Sequence, residues 1–323
     1  MRHMIQLSRI LLLLIFLSLQ SNTNAQVLGT IKLDTTDNAI LVDIVHLKKG
    51  GYVTTGTSGY PLFHKYIVKW DEKFNKLWSL HITDFNYKYS PGRIIEAPDG
   101  SLYYMTLYMS KVTTVVKIKD NGQIQWATNY MEEINPSLYN SLYASAFSNS
   151  IGDNGYVLGV GECGVSNMVT RADSSGAILW SNQYLLNGHA TGFVDGSCTA
   201  LNMSADGYLC GFMNFDSTLD FNMFLLKLDD KGNILKKMGY KNTETNHGFM
   251  PLEIERVNPN MYVVLTSNDK SYSSTGISAV GSALLFIDSS LNVIDYMDVY
   301  KDNPGFIIKD ISVINNGNDI IAT

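Results

Sequence analysis

The side chains that could carry chemistry are spread thinly along this sequence of 323 residues. The histidines beyond the N-terminal segment lie far apart and form no His-x-x-x-His or His-Glu pair of the kind that binds metals. There is no Gly-x-Ser-x-Gly nucleophile motif and no glycine-rich phosphate loop followed by Lys. The sequence therefore predicts no catalytic, cofactor-binding or metal-binding residue. These histidines are His46, His64, His81, His189 and His247.

Two short segments have candidate ligand chemistry. Residues 214–222 (Asn-Phe-Asp-Ser-Thr-Leu-Asp-Phe-Asn) concentrate carboxylates and amides, and such oxygen atoms suit Ca²⁺. The simpler interpretation is a solvated loop tip, so calcium is a cofactor that the pattern leaves open rather than one that it requires. Asn202-Met-Ser204 fits the acceptor pattern for an N-linked glycan.

Aromatic side chains occur in two clusters. Phe85-Asn-Tyr-Lys-Tyr89, and Tyr103-Tyr104 with Tyr108, could line a rim that binds sugars or peptides, because tyrosine offers a stacking face and a hydroxyl. For Tyr103 to Tyr108 the alternative, packing within a strand, fits better.

The first 25 residues have the parts of a secretory signal. Arg2 and Arg9 are basic, Ile10 to Leu19 are apolar, and small or polar residues precede a cut ahead of Gln26. The apolar run is much shorter than the roughly 20 residues of a spanning helix. We therefore expect residues 1–25 to be a signal peptide and residues 26–323 to be a single secreted or periplasmic domain without a membrane span.

Composition narrows the partners. With 24 Lys+Arg against 30 Asp+Glu, the net charge is −6, which argues against a broad nucleic-acid surface.

The sequence has three cysteines at scattered positions, Cys163, Cys198 and Cys210, so at most one disulfide can form. Cys198 with Cys210 is the candidate pair, and buried thiols are the favoured alternative.

The dominant feature is an internal repeat. One pattern of segments recurs along the chain. It consists of a turn with Gly, an apolar strand, a variable loop, an apolar strand ending near Lys-x-Asp, a second turn and an apolar strand that contains Trp. The position occupied by Trp in the first three copies falls at residues 78, 126, 180, 236 and 295. A period near 50 residues is typical of propeller blades. The copies span residues 49–78, 99–126, 154–180, 206–236 and 260–295, and a sixth begins in 307–321.

The repeat predicts the fold. Tyr, Val, Ile and Thr with Asn-Gly and Asp-Gly turns favour short antiparallel strands joined by hairpins. A four-stranded sheet with two apolar faces buries both when similar sheets stack around an axis. We predict an all-β fold, a β-propeller of about six four-stranded blades. The last blade is incomplete, because the chain is a fragment or truncated, or is closed by residues 27–33 as an N-terminal strand.

Two sets of recurring residues have predicted structural roles. Trp78, Trp126 and Trp180 share one phase of the repeat, so packing between blades is favoured over an aromatic ligand cage. The aspartates of the second turn are expected to cap it by accepting hydrogen bonds from backbone N–H groups. These aspartates are Asp71, Asp120, Asp173, Asp229 and Asp288.

These phrases resemble the degenerate propeller repeats of secreted proteins from Bacteroidetes-type bacteria, over roughly residues 39–323. Such proteins often carry a C-terminal sorting domain, and no segment here matches one. The Asp-x-x-Gly-x-x-x-Trp phrase also resembles the repeats of pyrroloquinoline-quinone dehydrogenases, which have about eight blades and a calcium site. Five to six units are too few for that architecture and no acidic cluster stands out, so this activity is not expected. The sialidase Asp-box, Asp-x-Gly-x-x-Trp, does not match this chain. Asp120 and Gly122 fit its spacing, but Trp126 stands one residue later than the motif requires.

Two classes of function follow. The favoured hypothesis is a secreted, monomeric, non-enzymatic recognition module that binds a protein or glycan on one face of the propeller. The alternative is an extracellular glycan-active hydrolase or lyase with carboxylates from different blades, which needs two carboxyl groups about 5–10 Å apart across a cleft.

Overall fold

The structure is a computed structural model that describes most of residues 39–322. The chain divides into two compact units, residues 1–34 and 35–323, and the described residues all belong to the second. The predicted signal peptide and the predicted closing strand, residues 27–33, lie outside them. The described residues are 39–58, 64–82, 92–108, 112–130, 143–150, 152–162, 166–184, 195–204, 206–215, 221–240, 248–273, 276–299, 308, 311–314 and 319–322.

All of the regular structure in these residues is β-strand, with 22 strands in chain order. The short strands alternate outward and inward side chains, as in the pattern of exposed and half-buried residues along Ile178–Gln183. The strands are β1 (Ala39–His46), β2 (Tyr52–Ser58), β3 (His64–Trp70), β4 (Lys76–Ile82), β5 (Arg93–Glu96), β6 (Leu102–Tyr108), β7 (Val112–Ile118), β8 (Ile124–Asn129), β9 (Tyr143–Asn149), β10 (Tyr156–Glu162), β11 (Ser166–Ala172), β12 (Ile178–Gln183), β13 (Asp195–Ser204), β14 (Gly207–Phe215), β15 (Phe221–Leu228), β16 (Ile234–Tyr240), β17 (Gly248–Asn258), β18 (Met261–Ser273), β19 (Gly276–Asp288), β20 (Val293–Val299), β21 (Ile311–Ile314) and β22 (Asp319–Ala322).

The strands form five antiparallel four-stranded sheets, each built from four consecutive strands, and one two-stranded sheet of β21 and β22. We number them sheets 1 to 6 in chain order. The first strands of neighbouring sheets, β1, β5, β9, β13, β17 and β21, lie side by side. They therefore line a common axis, and the fourth strands form the outer edge, which is the arrangement of propeller blades.

The prediction of a β-propeller is confirmed, but the prediction of about six four-stranded blades is wrong. Among the described residues there are five four-stranded sheets, and the sixth repeat contributes only β21 and β22. Turn and strand signals show where a repeat unit begins, but they do not show how many of its strands will pair.

Each pair of neighbouring sheets shares its own apolar core. Successive residues of one strand point to opposite neighbours: Tyr104 packs with sheet 1, and Tyr103 packs with sheet 3. Both rings are essentially fully buried, so strand packing, not a ligand rim, is confirmed for these two tyrosines. Each sheet thus buries its two apolar faces on the sheets before and after it, as the sequence predicts.

Candidate functional site: the central channel and the two ends of the propeller

The turns between the third and fourth strands are built by a side-chain cap. In sheet 4, Asp229 Oδ1 accepts hydrogen bonds from the backbone N–H of Lys231 at 2.9 Å and of Asn233 at 2.7 Å. Asp71, Asp173 and Asp288 make the equivalent bonds in sheets 1, 3 and 5. Capping is therefore confirmed for these four aspartates.

The prediction for Asp120 is wrong by one residue. In sheet 2, the turn bond from the backbone N–H of residue i to the carbonyl of i+4 joins Lys119 to Gln123, so Lys119 occupies the cap position. Asn121 Oδ1 accepts the hydrogen bond from the Gln123 N–H instead, at 3.1 Å. Asp120 is turned towards sheet 1, where its carboxylate forms an ion pair with Lys69.

Hydrogen bonds hold the cap carboxylates in their charged form. The Asn233 side chain is the main cause of the lowered pKa of Asp229, with the backbone N–H of Asn233 next, and the Asn75 side chain lowers the pKa of Asp71 in the same way. A depressed folded-state pKa contributes stability above the unfolded value of about 3.9, and this stability is lost as the pH falls through the folded pKa.

We expect Asp229→Asn to reduce the loss of stability as the pH falls below the unfolded value of about 3.9, because asparagine keeps an acceptor for the turn but cannot be protonated. The measurement is the denaturant midpoint across that range. Asp230→Asn is the matched control, since Asp230 contacts sheet 3 through its carbonyl oxygen. Equal acid sensitivity in wild type and Asp229→Asn would contradict the charge-based cap.

Tryptophans of the fourth strands pack on the next sheet, as predicted. Trp78 and Trp180 donate from Nε1 to the carbonyl oxygens of Asp120, at 2.9 Å, and Asp230, at 3.0 Å. Their rings cover Gly122 and Gly232, which have φ values of +86° and +80°. Glycine is needed there because a left-handed backbone and a ring in contact leave no room for a Cβ.

A tyrosine four residues after the tryptophan position joins the same seam, and the sequence analysis missed it. Tyr130, Tyr184 and Tyr240 each donate their hydroxyl to a carbonyl oxygen of the following sheet's turn at 2.7 Å. The acceptors are residues with positive φ, namely Gly176, Gly232 and Leu291. The recurrence of Tyr at this spacing was the available signal. This end of the propeller is therefore occupied by contacts between sheets.

An ion pair crosses the axis. Arg93, at the start of β5 in sheet 2, donates from Nη1 to Glu253 Oε2 of β17 in sheet 5 at 2.7 Å. The two residues are 160 positions apart in the chain, and the Glu253 side chain is mostly buried, with 12% of it exposed. A partly buried ion pair of this kind is screened by salt less than an exposed pair.

Asp43 adds a second carboxylate to the axial group. Its Oδ2 accepts the backbone N–H of Ile94 at 2.9 Å, which ties β1 to β5. Asp43 and Glu253 both follow a register shift in the first strand of their sheet, and β-bulges re-aim side chains in this way. We call Asp43, Arg93 and Glu253 the axial cluster. Chemically it combines a guanidinium with two carboxylates that already have hydrogen-bond donors.

Other polar side chains form hydrogen bonds between the inner strands of neighbouring sheets. Asn202 Nδ2 donates to the Ile254 carbonyl at 2.7 Å, from sheet 4 to sheet 5. Glu96 Oε2 accepts the backbone N–H of Lys48 at 2.7 Å. The amide of the predicted glycan acceptor is thus committed to a contact between strands.

A buried lysine lies between sheets 1 and 2. Lys65, at the start of β3, is fully buried and donates to the Thr106 hydroxyl. Desolvation lowers its pKa to about 8. Its position is at the end of the strands opposite the capped turns, close to where the connection 59–63 joins β3.

That opposite end carries the long connections. Residues 83–92, 130–142 and 184–194 link the fourth strand of one sheet to the first strand of the next there. The aromatic segment Phe85–Tyr89 belongs to the first of these and lies outside the described residues, as do residues 216–220 of the proposed calcium loop. We call this end the long-connection face.

The remaining sequence predictions have mixed outcomes. Leu201 and Cys198 stand opposite Cys210 and Phe212 respectively, so the candidate Cys198–Cys210 bridge does not form and Cys210 is a buried thiol. His46 and His81 are exposed. Within the described ranges, no cluster of three or more His, Cys, Asp or Glu side chains could hold a metal ion. No helix in the described part of the chain is long and apolar enough to span a membrane.

Comparisons with known proteins agree with the fold. No protein-family model matches this chain, and no curated protein matches it in sequence. The Dos1 propeller has a TM-score of 0.53 at 11% identity, covering 88% of this chain and 75% of its own. Sqt1 of Saccharomyces cerevisiae has a TM-score of 0.53 at 13% identity, covering 87% and 69%. A Bacteroides caccae protein of unknown function has a TM-score of 0.48 at 12% identity, covering 86% and 88%. The chain is a β-propeller with repeat-like blades, and at these identities the likeness concerns the fold alone.

Proposed function

We propose that this protein is a secreted, non-enzymatic binding module that holds a protein or glycan ligand on its long-connection face. The observation that carries the proposal is the contrast between the two ends of the propeller. At one end, caps, tryptophans and tyrosines commit the turns to contacts between sheets. At the other end, β4, β8 and β12 finish and β5, β9 and β13 begin, so the three connections between these strands leave and return at that end. Loops of this kind on a rigid scaffold are the usual place for ligand binding.

The axial cluster supports binding over hydrolysis. A glycoside hydrolase needs one carboxyl group that stays protonated until it donates to the leaving group. Glu253 Oε2 instead already accepts a hydrogen bond from Arg93 Nη1 at 2.7 Å, so this oxygen is committed to an ion pair across the axis. Asp43 accepts a backbone N–H in the same way.

Export by the N-terminal signal, a monomeric state and the closure of the last blade by residues 27–33 stay predictions, as does calcium at residues 214–222.

The proposal is tested by screening the purified protein against an array of neutral and acidic oligosaccharides and extracellular peptides. For the strongest probe, we expect Tyr87→Ala to weaken binding about tenfold, because a lost aromatic contact is worth roughly 1.5 kcal/mol. Lys73→Ala is the control, since Lys73 is exposed in the capped turn at the other end. Weaker binding by Lys73→Ala and unchanged binding by Tyr87→Ala would place the ligand on the wrong face for this proposal.

A further inference from the structure

The repeat units differ from one another at both ends of the propeller, and at the capped-turn end the difference is compensated. Lys236 stands at the tryptophan position of sheet 4 and donates to the Ser290 carbonyl in the turn of sheet 5. That turn has Leu291 at φ 60°, where the turns that receive a tryptophan ring have glycine. Leu291 is buried in the core between sheets 4 and 5. A change on one side of this seam is thus matched by a change on the other, and both serve the packing of neighbouring sheets.

At the long-connection face, the units differ in the hairpin formed by the second and third strands. β18 and β19 of sheet 5 have thirteen residues each, whereas their counterparts in sheets 1 to 4 have seven to nine. The difference holds when the connection is counted as well, so sheet 5 extends further than the others at this end. The whole hairpins span residues 52–70, 102–118, 156–172 and 207–228 in sheets 1 to 4 and residues 261–288 in sheet 5.

The extra length lies beyond the described pairing of the rest of sheet 5. β17 pairs with β18 as far as Asp269, and β20 pairs with β19 as far as Ser282. β18 and β19 pair with each other further, as far as Ser273 and Gly276. At roughly 3.3 Å per residue, Ser273 stands about 13 Å past Asp269. We call residues 269–281 the arm.

The base of the arm is irregular. The register between β18 and β19 shifts twice, between Asn268 and Asp269 and between Asp269 and Tyr272. Over the described residues, the equivalent pairings in sheets 1 to 4 have no such shift. Register shifts of this kind mark β-bulges, which bend a strand and are common next to functional sites. Because β18 is the neighbour of the inner strand β17, the arm starts about 4.8 Å, one strand spacing, from the strands that line the axis.

The residue types change where the arm begins. Val263 to Leu265 of β18 are fully buried in the core, whereas residues 271–275 of the arm read Ser-Tyr-Ser-Ser-Thr. The charged residues of the arm, Asp269 and Lys270, have opposite signs. Tyrosine together with serine and glycine is also typical of antibody binding loops, where it gives a rigid contact surface with adaptable hydrogen bonding. The extra length therefore suits recognition better than core packing.

These residue types fit a neutral oligosaccharide. Sugar hydroxyls need hydrogen-bond partners, which serine and threonine hydroxyls provide, and a tyrosine ring offers a stacking face. A protein partner would favour large aromatic anchors and arginine, and the arm has one aromatic residue and no arginine. An acidic sugar is disfavoured, because the axial cluster has two carboxylates against one guanidinium and the chain has a net charge of −6.

We propose that the arm binds a neutral oligosaccharide and selects it at the long-connection face. The assignment rests on the proposed function of the protein, and it names both the class of ligand and the element that recognises it. Pairing with β17 as far as Asp269 fixes the base of the arm, and the hydroxyl-rich residues beyond that pair, with Tyr272, contact the sugar.

Shortening the arm in the full-length protein tests this assignment. In the variant, Asn-Gly replaces residues 270–278, because this dipeptide forms tight hairpin turns and Asp269 stands opposite Ala279. The described pairs of β17 with β18 and of β19 with β20 are all retained. On an array of oligosaccharides and peptides, we expect the strongest probe of wild type to be a neutral oligosaccharide. The shortened variant should bind it about a hundredfold more weakly, with an unchanged denaturant midpoint.

A point variant makes the same test without changing the length of the chain. Tyr272→Ala should weaken binding of that oligosaccharide about tenfold, as expected for a lost aromatic contact. Tyr296→Ala is the matched control, because Tyr296 is 37% exposed on the outer strand β20 of the same sheet. The control should bind the oligosaccharide as wild type does.

A strongest probe that is a peptide or an acidic sugar would overturn the assignment. A shortened variant that keeps its denaturant midpoint and binds like wild type would also overturn it. If the shortened variant folds poorly, equal binding by Tyr272→Ala and Tyr296→Ala decides against the arm. A wild-type protein that binds no probe contradicts the proposed function itself, and with it the role of the arm, so the two failures are distinct.

Discussion

Replacing Gly232 by alanine is expected to lower the free energy of unfolding by about 3 kcal/mol. The left-handed backbone, φ +80°, costs an alanine about 1 kcal/mol or more. The new Cβ would also lie 2.5 Å from Asn182 Nδ2 and 2.9 Å from the Trp180 ring, and such overpacking costs about 1–3 kcal/mol. The measurement is the denaturant midpoint and slope of the variant against wild type.

Gly152→Ala separates the two causes. Gly152 has nearly the same backbone, φ +78°, but its Cβ would meet nothing within 4 Å. We expect this control to cost about 1 kcal/mol, since only backbone strain is added. If the two variants lose the same free energy, the contact between Trp180 and the turn of sheet 4 contributes nothing, and the account of the seam fails.

The second large effect is an exchange of seam partners between sheets 4 and 5. Lys236→Trp alone should cost about 2 kcal/mol, because the tryptophan needs the space of the Leu291 side chain. Leu291→Gly alone should cost about 3 kcal/mol from the lost buried side chain, partly offset by relief of its positive φ. The double variant should be less destabilised than the sum of the two by about 2 kcal/mol.

This double-mutant cycle measures the interaction energy between the side chains at positions 236 and 291. Three glycine turns elsewhere in the chain already accept a tryptophan ring, at Trp78 with Gly122, Trp126 with Gly176 and Trp180 with Gly232. Free energies of unfolding for the four proteins of the cycle, at one pH and one salt concentration, provide the test. Additive losses would mean that Lys236 and Leu291 are independent, and that the matching along the chain has no energetic meaning.

Most of the fold could be predicted because the repeat exposes it. The phase of Trp78, Trp126 and Trp180 fixes the outer strands, and the spacing of the turn aspartates fixes the hairpins. Asp120 was misplaced since Lys119 takes the cap position and Asp120 follows it directly, so the sequence alone offers two alignments. The number of strands in the sixth unit depends on pairing, which turn signals do not encode.

The axial cluster could not be predicted in the same way. Arg93 and Glu253 are 160 residues apart, and no short motif links a residue of sheet 2 with one of sheet 5. Their meeting depends on the curvature of the ring and on bulges that re-aim side chains towards the axis. The seam tyrosines are different: Tyr130, Tyr184 and Tyr240 recur four residues after the tryptophan position, so the repeat itself encodes them.

The central claim is that this propeller binds a ligand without changing it. The most direct measurement is prolonged incubation of the strongest oligosaccharide probe from the array with the protein, followed by mass spectrometry of the probe, using wild type, Glu253→Gln and Asp230→Asn as the outer-turn control. We expect all three proteins to return the probe intact. Shortened or unsaturated products from wild type and Asp230→Asn, but not from Glu253→Gln, would contradict the account and assign the axial cluster to catalysis.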